Sequence, residues 1–177
     1  MIETDRLILR RWRVDDVAPF HAMGQDAEVM RYLGPPMDEA SCEATVERMN
    51  ALADATGDCF WAVERREGGA FLGFCGIKAG PPGTPIEDLP EIGWRLARAA
   101  WGGGYAREAA AACLARAWQR GTERVHAITV PANERSWGLM IRLGMTRVEG
   151  GDFDHPVLEP GDRLRRHLRY SIDRPTA

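Results

Sequence analysis

The chain has 177 residues, of which 45% are hydrophobic and 28% are charged, a composition that excludes intrinsic disorder and collagen-like repeats. We therefore predict a single domain, 1–177, that is large enough to bury its own core. The formal charge of −3 comes from 23 Lys and Arg against 26 Asp and Glu, so the basic excess typical of nucleic-acid-binding proteins is absent.

The four cysteines and four histidines are scattered and form no closely spaced ligand pairs, so we expect no metal site. The N-terminus is charged where a signal peptide needs an apolar run, and no stretch reaches the ~18 apolar residues of a membrane span. We expect a cytoplasmic protein, monomeric or homodimeric, that binds neither a membrane nor nucleic acid.

Gly, Pro and Asp residues mark the ends of the predicted elements. The first part of the chain predicts a strand at 6–13, a short helix capped by Asp15 or Asp16, a helical turn at 27–33, a helix opened by Asp38 or Ser41, and hairpin strands at 59–65 and 70–78. The second part predicts a loop at 79–90, strands at 91–98 and 125–130, helices at 105–120 and 133–143, and last strands at 147–149 and 167–172, which a loop at 150–163 separates. This order indicates one α/β domain with a mixed sheet.

A glycine cluster follows the strand at 91–98, in the segment Trp101-Gly102-Gly103-Gly104-Tyr105-Ala106-Arg107-Glu108. Glycine lets a backbone approach a ligand, and a helix N-terminus offers free N–H groups and a positive dipole end, so the segment suits a phosphate. The Walker pattern is absent, and Arg107 occupies the third glycine position of the dinucleotide fingerprint. A strand-to-helix turn without any ligand is the alternative.

Three segments of the chain are similar to the sequence motifs of one known protein family. Thr4-Asp5-Arg6-Leu7-Ile8-Leu9-Arg10 looks like the opening motif T-x-R-L-x-L-R. Glu91-Ile92-Gly93-Trp94 and the segment 101–109 are similar to E-I-G-Y/W…W-G-x-G-Y-A-x-E-A. Asn133-Glu134-Arg135-Ser136 and Leu143-Gly144-Met145 resemble N-x-x-S…L-G-F. With these motifs the chain resembles, over nearly its whole length, the GNAT N-acetyltransferase family, in particular its ribosomal-protein alanine acetyltransferase-like (RimJ/RimL-like) branch.

The resemblance implies a GNAT-like α/β (α+β) fold, with a mixed, mostly antiparallel sheet of six to seven strands that is flanked by helices and splayed between the strands at 91–98 and 125–130. It also implies acetyl-CoA as co-substrate, with the pantetheine arm along Trp94 to Leu96 and the pyrophosphate on backbone N–H groups of the glycine segment. The residues that it implies for acetyl-CoA are Trp94, Leu96, Arg98, Trp101, Gly102, Gly103, Gly104, Tyr105, Ala106, Arg107 and Asn133.

Some of these residues carry an alternative interpretation. The general family motif has Gln or Arg where this chain has Trp101, a loss that the branch tolerates because backbone donors meet the phosphates. Arg98 and Arg107 could each add a charge-assisted contact or be exposed surface residues. Asn133 could bind acetyl-CoA, cap its own helix, or do both.

Proton transfer is the step at which this sequence departs from the family. Many GNATs place a tyrosine acid four residues before the glycine of L-G-F, and that position is Met140 here, which cannot donate a proton. The resemblance offers Ser136 as the donor to the thiolate, with a helix-surface serine as the alternative. Glu91 is the best candidate base, with a solvated strand-edge carboxylate as the alternative. His126 is predicted to be a packed core histidine.

The implied acceptor is an amine, either a peptide or protein N-terminus or a small molecule. A lysine amine with a pKa of ~10.4 is neutral about once in 2500 at pH 7, a deficit of ~4.6 kcal/mol, whereas an α-amine with a pKa of ~7.8 is short by ~1 kcal/mol. A weak base therefore suffices for an N-terminus.

Two loops, 79–90 and 149–162, contain acidic residues and no Lys or Arg. We hypothesise that they form an acidic mouth that attracts a cationic amine, with two ordinary solvated loops as the alternative. For the whole chain, the alternative function is a non-catalytic acyl-CoA-binding or sensing module, because Met140 replaces the usual acid.

Overall fold

The computed structural model describes residues 1–176. Its strands are, in chain order, β1 Ile2–Glu3, β2 Leu7–Arg10, β3 Phe60–Arg65, β4 Phe71–Ala79, β5 Pro90–Leu96, β6 Arg124–Thr129, β7 Thr146–Arg147, β8 Phe153–Asp154 and β9 Arg166–Asp173. Its helices are α1 Val17–Gln25, α2 Ala27–Met30, α3 Glu39–Thr56, α4 Tyr105–Gln119 and α5 Glu134–Arg142, with 3₁₀ turns at Val14–Asp16 and Arg98–Ala100. The sheet is mixed, mostly antiparallel and flanked by helices, which confirms the predicted fold class.

The strands differ from the predicted ones mainly at their ends. Six strands of the described chain have four or more residues, in agreement with the six to seven expected, and β1, β7 and β8 have two residues each. The first predicted strand stops at Arg10 because Asn50 of α3 takes both backbone groups of Trp12: its Oδ1 accepts from the Trp12 N–H at 3.1 Å, and its Nδ2 donates to the Trp12 carbonyl at 3.0 Å. The chain therefore leaves the sheet there.

The described residues form two compact units. The first unit comprises 1–77 and 93–113, and the second comprises 78–92 and the chain from 114 onward. The expectation of one domain over 1–177 stays a prediction.

In the first unit, β1 to β4 pair in chain order as antiparallel neighbours, with Leu9 opposite Val63. Trp12 and the phenylalanines of α1, β3 and β4 form its aromatic core, with Trp12 5.0 Å from Phe20 and Phe60 stacked on Phe74 at 5.4 Å between ring centroids. Helix α3 begins as predicted, because the Asp38 side chain accepts a hydrogen bond from the backbone of Ser41 at 2.8 Å.

The end of β5 lies against β4 in the same unit at a position that only glycine can occupy. Gly73 has a φ of +134°, and a Cβ there would lie 2.1 Å from the Arg95 carbonyl oxygen and 2.8 Å from the Leu96 Cα. The next backbone contact is a hydrogen bond from the Ala97 N–H to the Leu72 carbonyl at 2.8 Å. The close approach of these two backbones positions the segment Trp94–Leu96.

In the second unit, β5 and β6 are parallel, with Glu91 opposite His126. β6 pairs antiparallel with β9 over its whole length, and the short strands β7 and β8 also pair with β9. Helix α5 precedes β7, and its buried Leu139 and Met140 contribute to the core of this unit.

Candidate functional site

The glycine segment forms the turn into α4 in the first unit. Gly102 and Gly104 have φ values of +76° and +79°, which L side chains rarely adopt. Helix α4 begins at Tyr105, and within the described chain the backbone N–H groups of Gly102 to Arg107 donate to no acceptor. A row of free donors at the positive end of a helix dipole suits a pyrophosphate, so these residues fit the phosphates of CoA.

Residues of the N-terminal strand motif hold this turn in place, a role that the sequence did not reveal. Arg6 donates through Nη1 to the Gly103 carbonyl at 2.9 Å, its guanidinium lies 4.6 Å from the centre of the Tyr105 ring, and it forms an ion pair with Glu108 at 2.6 Å. Thr4 donates its hydroxyl to the same carboxylate at 2.6 Å. Burial by itself raises the pKa of Glu108, but the hydrogen bonds from Thr4 and Arg6 outweigh this effect and lower the pKa below its ordinary value.

These contacts relate two of the sequence motifs to each other. Thr4 and Arg6 belong to the opening motif, and Glu108 belongs to the glycine-segment motif. The sequence showed only that both motifs are present, and it gave no distance between their residues.

The candidate residues around the glycine turn differ in what their side chains do. Leu96 is buried, and Trp94 is half-buried. The Trp101 indole N–H donates to the Leu96 carbonyl at 2.8 Å, so this side chain supports the end of β5. Arg98 and Arg107 are both exposed, which leaves them available to a charged ligand.

Asn133 and Ser136 lie together at the start of α5 in the second unit. The Asn133 side chain accepts from the Ser136 backbone N–H at 3.3 Å, which confirms Asn133 as the helix cap. The Ser136 side chain is half-buried, and its hydroxyl makes no hydrogen bond within the described chain. The hydroxyl is therefore free to serve a ligand.

Glu91 is not a solvated strand-edge charge, because it is ion-paired in the second unit. The Nζ of Lys78, the only lysine among the 23 basic residues, lies 3.0 Å from its carboxylate, and the Glu91 side chain is only 13% exposed. Lys78 also donates to the Ala79 carbonyl at 2.9 Å. The ion pair fixes the orientation of the Glu91 carboxylate.

His126 is a core residue, as the sequence predicted, and Met140 is buried as well. His126 is 4% exposed, and burial, assisted by Arg169 and Arg124, lowers its pKa to about 4, so it is neutral at pH 7. Met140 is 2% exposed, and its thioether cannot donate a proton.

The two acidic loops contact each other, and part of the negative charge of the second loop is compensated. A Cβ on Gly83 of the first loop would lie 3.3 Å from Pro156 of the second. Arginines that flank the second loop neutralise two of its acids: Arg147 pairs with Asp152, and Arg165 and Arg166 pair with Asp154 at 3.5 and 3.4 Å. The free negative charge that an acidic mouth needs is therefore smaller than the sequence indicated.

Within residues 1–176, no cluster of His, Cys, Asp and Glu could hold a metal ion. Over the same residues, every helix is too short or too polar to cross a bilayer.

The comparisons with known proteins agree with this geometry. The family model of the acetyltransferase (GNAT) domain matches residues 6–146. The uncharacterized protein YkkB of Bacillus subtilis (strain 168) is 33% identical over 144 residues, which cover 80% of this chain and 83% of that protein. Among solved structures, an acetyltransferase (GNAT family) from Bacillus anthracis is 23% identical with a TM-score of 0.79, covering 97% of each chain.

An acetyltransferase structure from Agrobacterium tumefaciens str. C58 is 25% identical with a TM-score of 0.78, and the match covers 98% of this chain and 94% of that one. The family model spans most of the chain, including the glycine turn that begins α4. The chain belongs to the GNAT acetyltransferase family.

Proposed function

We propose that this protein transfers the acetyl group of acetyl-CoA to a primary amine, by direct attack in a ternary complex. The observation that carries the proposal is the row of free N–H groups from Gly102 to Arg107 at the start of α4. Two proteins of similar fold have been solved with CoA: RimL, the ribosomal L7/L12 alpha-N-protein acetyltransferase (15% identical, TM-score 0.76), and a spermidine N-acetyltransferase from Vibrio cholerae with CoA and spermine (16%, 0.72). They support a CoA ligand and leave both acceptor classes open.

The first unit supplies the residues that bind acetyl-CoA in this proposal. The N–H groups of Gly102, Gly104, Tyr105 and Ala106 hold the pyrophosphate, and Gly103 is kept in place through its carbonyl. The backbone of Trp94–Leu96 holds the pantetheine arm, and the Leu96 N–H polarises the carbonyl of the acetyl group.

Arg98 and Arg107 add charge-assisted contacts from their exposed positions. Trp101 contributes indirectly, through its hydrogen bond to the Leu96 carbonyl.

The second unit supplies the residues that move protons. Acetyl-CoA, when bound, supplies the acetyl group as a thioester. As the C–N bond forms and the C–S bond breaks, the amine must lose one proton and the thiolate must gain one. Glu91 accepts the proton from the amine, directly or through water, and Ser136 donates the proton to the sulfur. Asn133 positions Ser136 through the cap of α5 and is free to contact CoA with its remaining donors.

The α-amine of a peptide is the acceptor that these groups serve best, which is consistent with the RimJ/RimL-like branch. The Glu91 carboxylate, the proposed base, is held in an ion pair with Lys78. Any base has a smaller deficit to cover with an α-amine, ~1 kcal/mol, than with a lysine, ~4.6 kcal/mol.

A thiol-release assay with acetyl-CoA and a panel of amines tests the proposal. We expect turnover with at least one N-terminal peptide or small amine, together with saturable acetyl-CoA binding by calorimetry. Binding without turnover of any amine would instead favour the non-catalytic acyl-CoA module that Met140 suggests, and absence of binding would contradict both functions.

Substitutions at the proton-moving residues test their roles. Ser136→Ala and Glu91→Gln should each lower kcat by about 10- to 100-fold, with little change in acetyl-CoA affinity, because each removes a proton-transfer group. Ser41→Ala and Glu47→Gln, both at exposed positions of α3, are the matched controls. A variant with an unchanged rate would remove its residue from the catalytic set.

A further inference from the structure

Arg95 is a half-buried arginine for which the proposed chemistry has no use. It lies on β5 between Trp94 and Leu96, and its side chain points to the face opposite theirs. Its Nε is enclosed without a hydrogen-bond partner, and within the described chain the guanidinium makes no ion pair. Since burying an uncompensated charge is costly, an arginine in this state is expected where a ligand supplies the missing anion.

The surroundings of Arg95 are aromatic and partly open. Its guanidinium lies 5.4 Å from the centre of the Phe74 ring, and Phe74 is stacked on Phe60. Phe60 also covers Gly93, where a Cβ would lie 2.7 Å from the ring. Arg95, Phe60 and Phe74 are all half-buried, so each of these side chains is partly exposed to solvent. The aromatic rings offset part of the free-energy cost of desolvating the guanidinium, but they provide no hydrogen-bond acceptor.

The charge on this face selects the kind of anion. Burial lowers the pKa of Arg95, and among the described residues the Cys42 thiol of α3 is the one group that acts against this change. A single guanidinium without a second cation matches a singly charged, planar carboxylate, with which it forms a bidentate pair. A phosphate dianion calls for more positive charge than this face supplies.

We propose that Arg95 binds a carboxylate of the acceptor, so that the preferred substrates are amines that carry a carboxylate close to the amine and an apolar body against Phe60 and Phe74. The inference rests on the proposed function, in which Trp94–Leu96 hold the acyl end of acetyl-CoA. Arg95 is the middle residue of that segment, so its side chain begins close to the acetyl group. The carboxylate of the acceptor must therefore be only a few bonds from its amine.

Two dipeptides that differ only in the C-terminal group test this inference: alanyl-phenylalanine and its C-terminal amide. Their α-amines have similar basicity, so the carboxylate is the only variable. We expect the wild-type protein to have a kcat/KM about 10- to 100-fold higher for the free acid than for the amide, because a charge-assisted bidentate pair has that effect. Arg95→Met should remove the preference by lowering the rate with the acid alone. Arg95→Lys, which retains the positive charge but cannot form a bidentate pair, should keep part of the preference for the free acid.

Thermal melts give a readout that a purely structural arginine would not produce. Without ligand, Arg95→Met should melt about 2–4 °C higher than the wild type, because the variant no longer buries an uncompensated charge. The free dipeptide should raise the Tm of the wild type and leave that of Arg95→Met unchanged. Arg48→Met, at an exposed position of α3 where Arg48 contacts only Thr45, should change neither quantity.

The outcomes separate this inference from the proposed function. Three results would each overturn the role of Arg95 while acetyl transfer stands. They are turnover of amines with no preference for the free acid, an equal loss of kcat/KM for both dipeptides in Arg95→Met, and a lower Tm of that variant. Weaker acetyl-CoA binding by Arg95→Met would assign the arginine to the cofactor instead. If no amine is turned over, a Tm shift of the wild type by the acid beyond that by the amide still supports the carboxylate site, and equal shifts overturn it.

Discussion

Glu108 shows how a single side chain links the start of the chain to the glycine turn. It accepts hydrogen bonds from the Thr4 hydroxyl at 2.6 Å and from the backbone N–H and Nε of Arg6 at 3.0 and 2.6 Å. Arg6 in turn holds the Gly103 carbonyl. The turn thus keeps its shape through contacts made about 100 residues apart in sequence, and under the proposed function Glu108 is a positioning residue for CoA.

Glu108→Gln should weaken acetyl-CoA binding by about 3- to 10-fold, because the loss of the ion pair releases Arg6 from the turn; the effect is modest since Arg6 is half exposed. Calorimetric titration with acetyl-CoA measures it, with a smaller change expected in kcat. Asp173→Asn, which breaks the exposed ion pair with Arg124, is the matched control. An equal dissociation constant for wild type and Glu108→Gln would contradict the positioning role.

Glu91 illustrates a residue whose type and position were predictable but whose state was not. Its place at the start of the predicted strand 91–98 and the family resemblance selected it. Its partner Lys78 lies 13 residues earlier, beyond a loop rich in proline and glycine, and only the folded loop brings the two charges to 3.0 Å.

At the scale of elements, strand β5 and helix α4 carry the residues that bind acetyl-CoA in the proposed function. The turn between them follows from local chemistry, because glycines with positive φ are needed where a strand turns sharply into a helix. The position of β5 itself depends on β4, which has no side chain at Gly73. Nothing in the local sequence distinguishes this glycine from the neighbouring Gly76.

Gly73→Ala should destabilise the protein by about 2–4 kcal/mol, since an alanine at a φ of +134° is strained and its Cβ would overlap the Arg95 carbonyl oxygen. Urea denaturation measures the loss. Gly24→Ala in α1 is the control: a Cβ there meets no atom within 4 Å, so stability should be unchanged or rise by up to about 1 kcal/mol. Similar stability of the two variants would show that β5 can shift away from β4.

At the scale of the whole molecule, buried neutral histidines make stability depend on pH. Burial lowers the pKa of His126 to about 4, and it also lowers the pKa of His155 and of His167. An unfolded histidine has a pKa of about 6.5, so between about pH 6.5 and pH 4 the unfolded chain binds more protons than the native one. The stability that these groups contribute is complete above about pH 6.5 and is lost as the pH falls towards 4.

The free energy of unfolding should therefore fall between pH 7 and pH 4, with His126 alone contributing on the order of 2–3 kcal/mol. Urea denaturation at pH 7, 5.5 and 4 measures the slope. His126→Phe should flatten the slope, whatever its effect on stability at pH 7. A variant as sensitive to pH as the wild type would show that His126 does not carry the dependence.

The amino-acid sequence by itself determined the order of most elements, the glycine turn before α4, the burial of His126 and one of the two roles considered for Asn133, the cap of α5, because these follow from periodicity, capping and turn chemistry among near neighbours. Strands β1 and β8 are too short for such patterns to detect.

Only the tertiary structure decided which distant groups meet. The attachment of the turn to Arg6 and Glu108, the ion pair of Glu91 with Lys78 and the neutralised acids of the second loop all depend on strand register and loop packing. The lack of a hydrogen-bond partner for the Arg95 Nε also depends on the tertiary structure, because it can be recognised only when every neighbouring residue is in place. The alternation of side chains along β5 predicts the face of the sheet on which Arg95 lies. Whether its charge is paired depends on residues far away in the sequence.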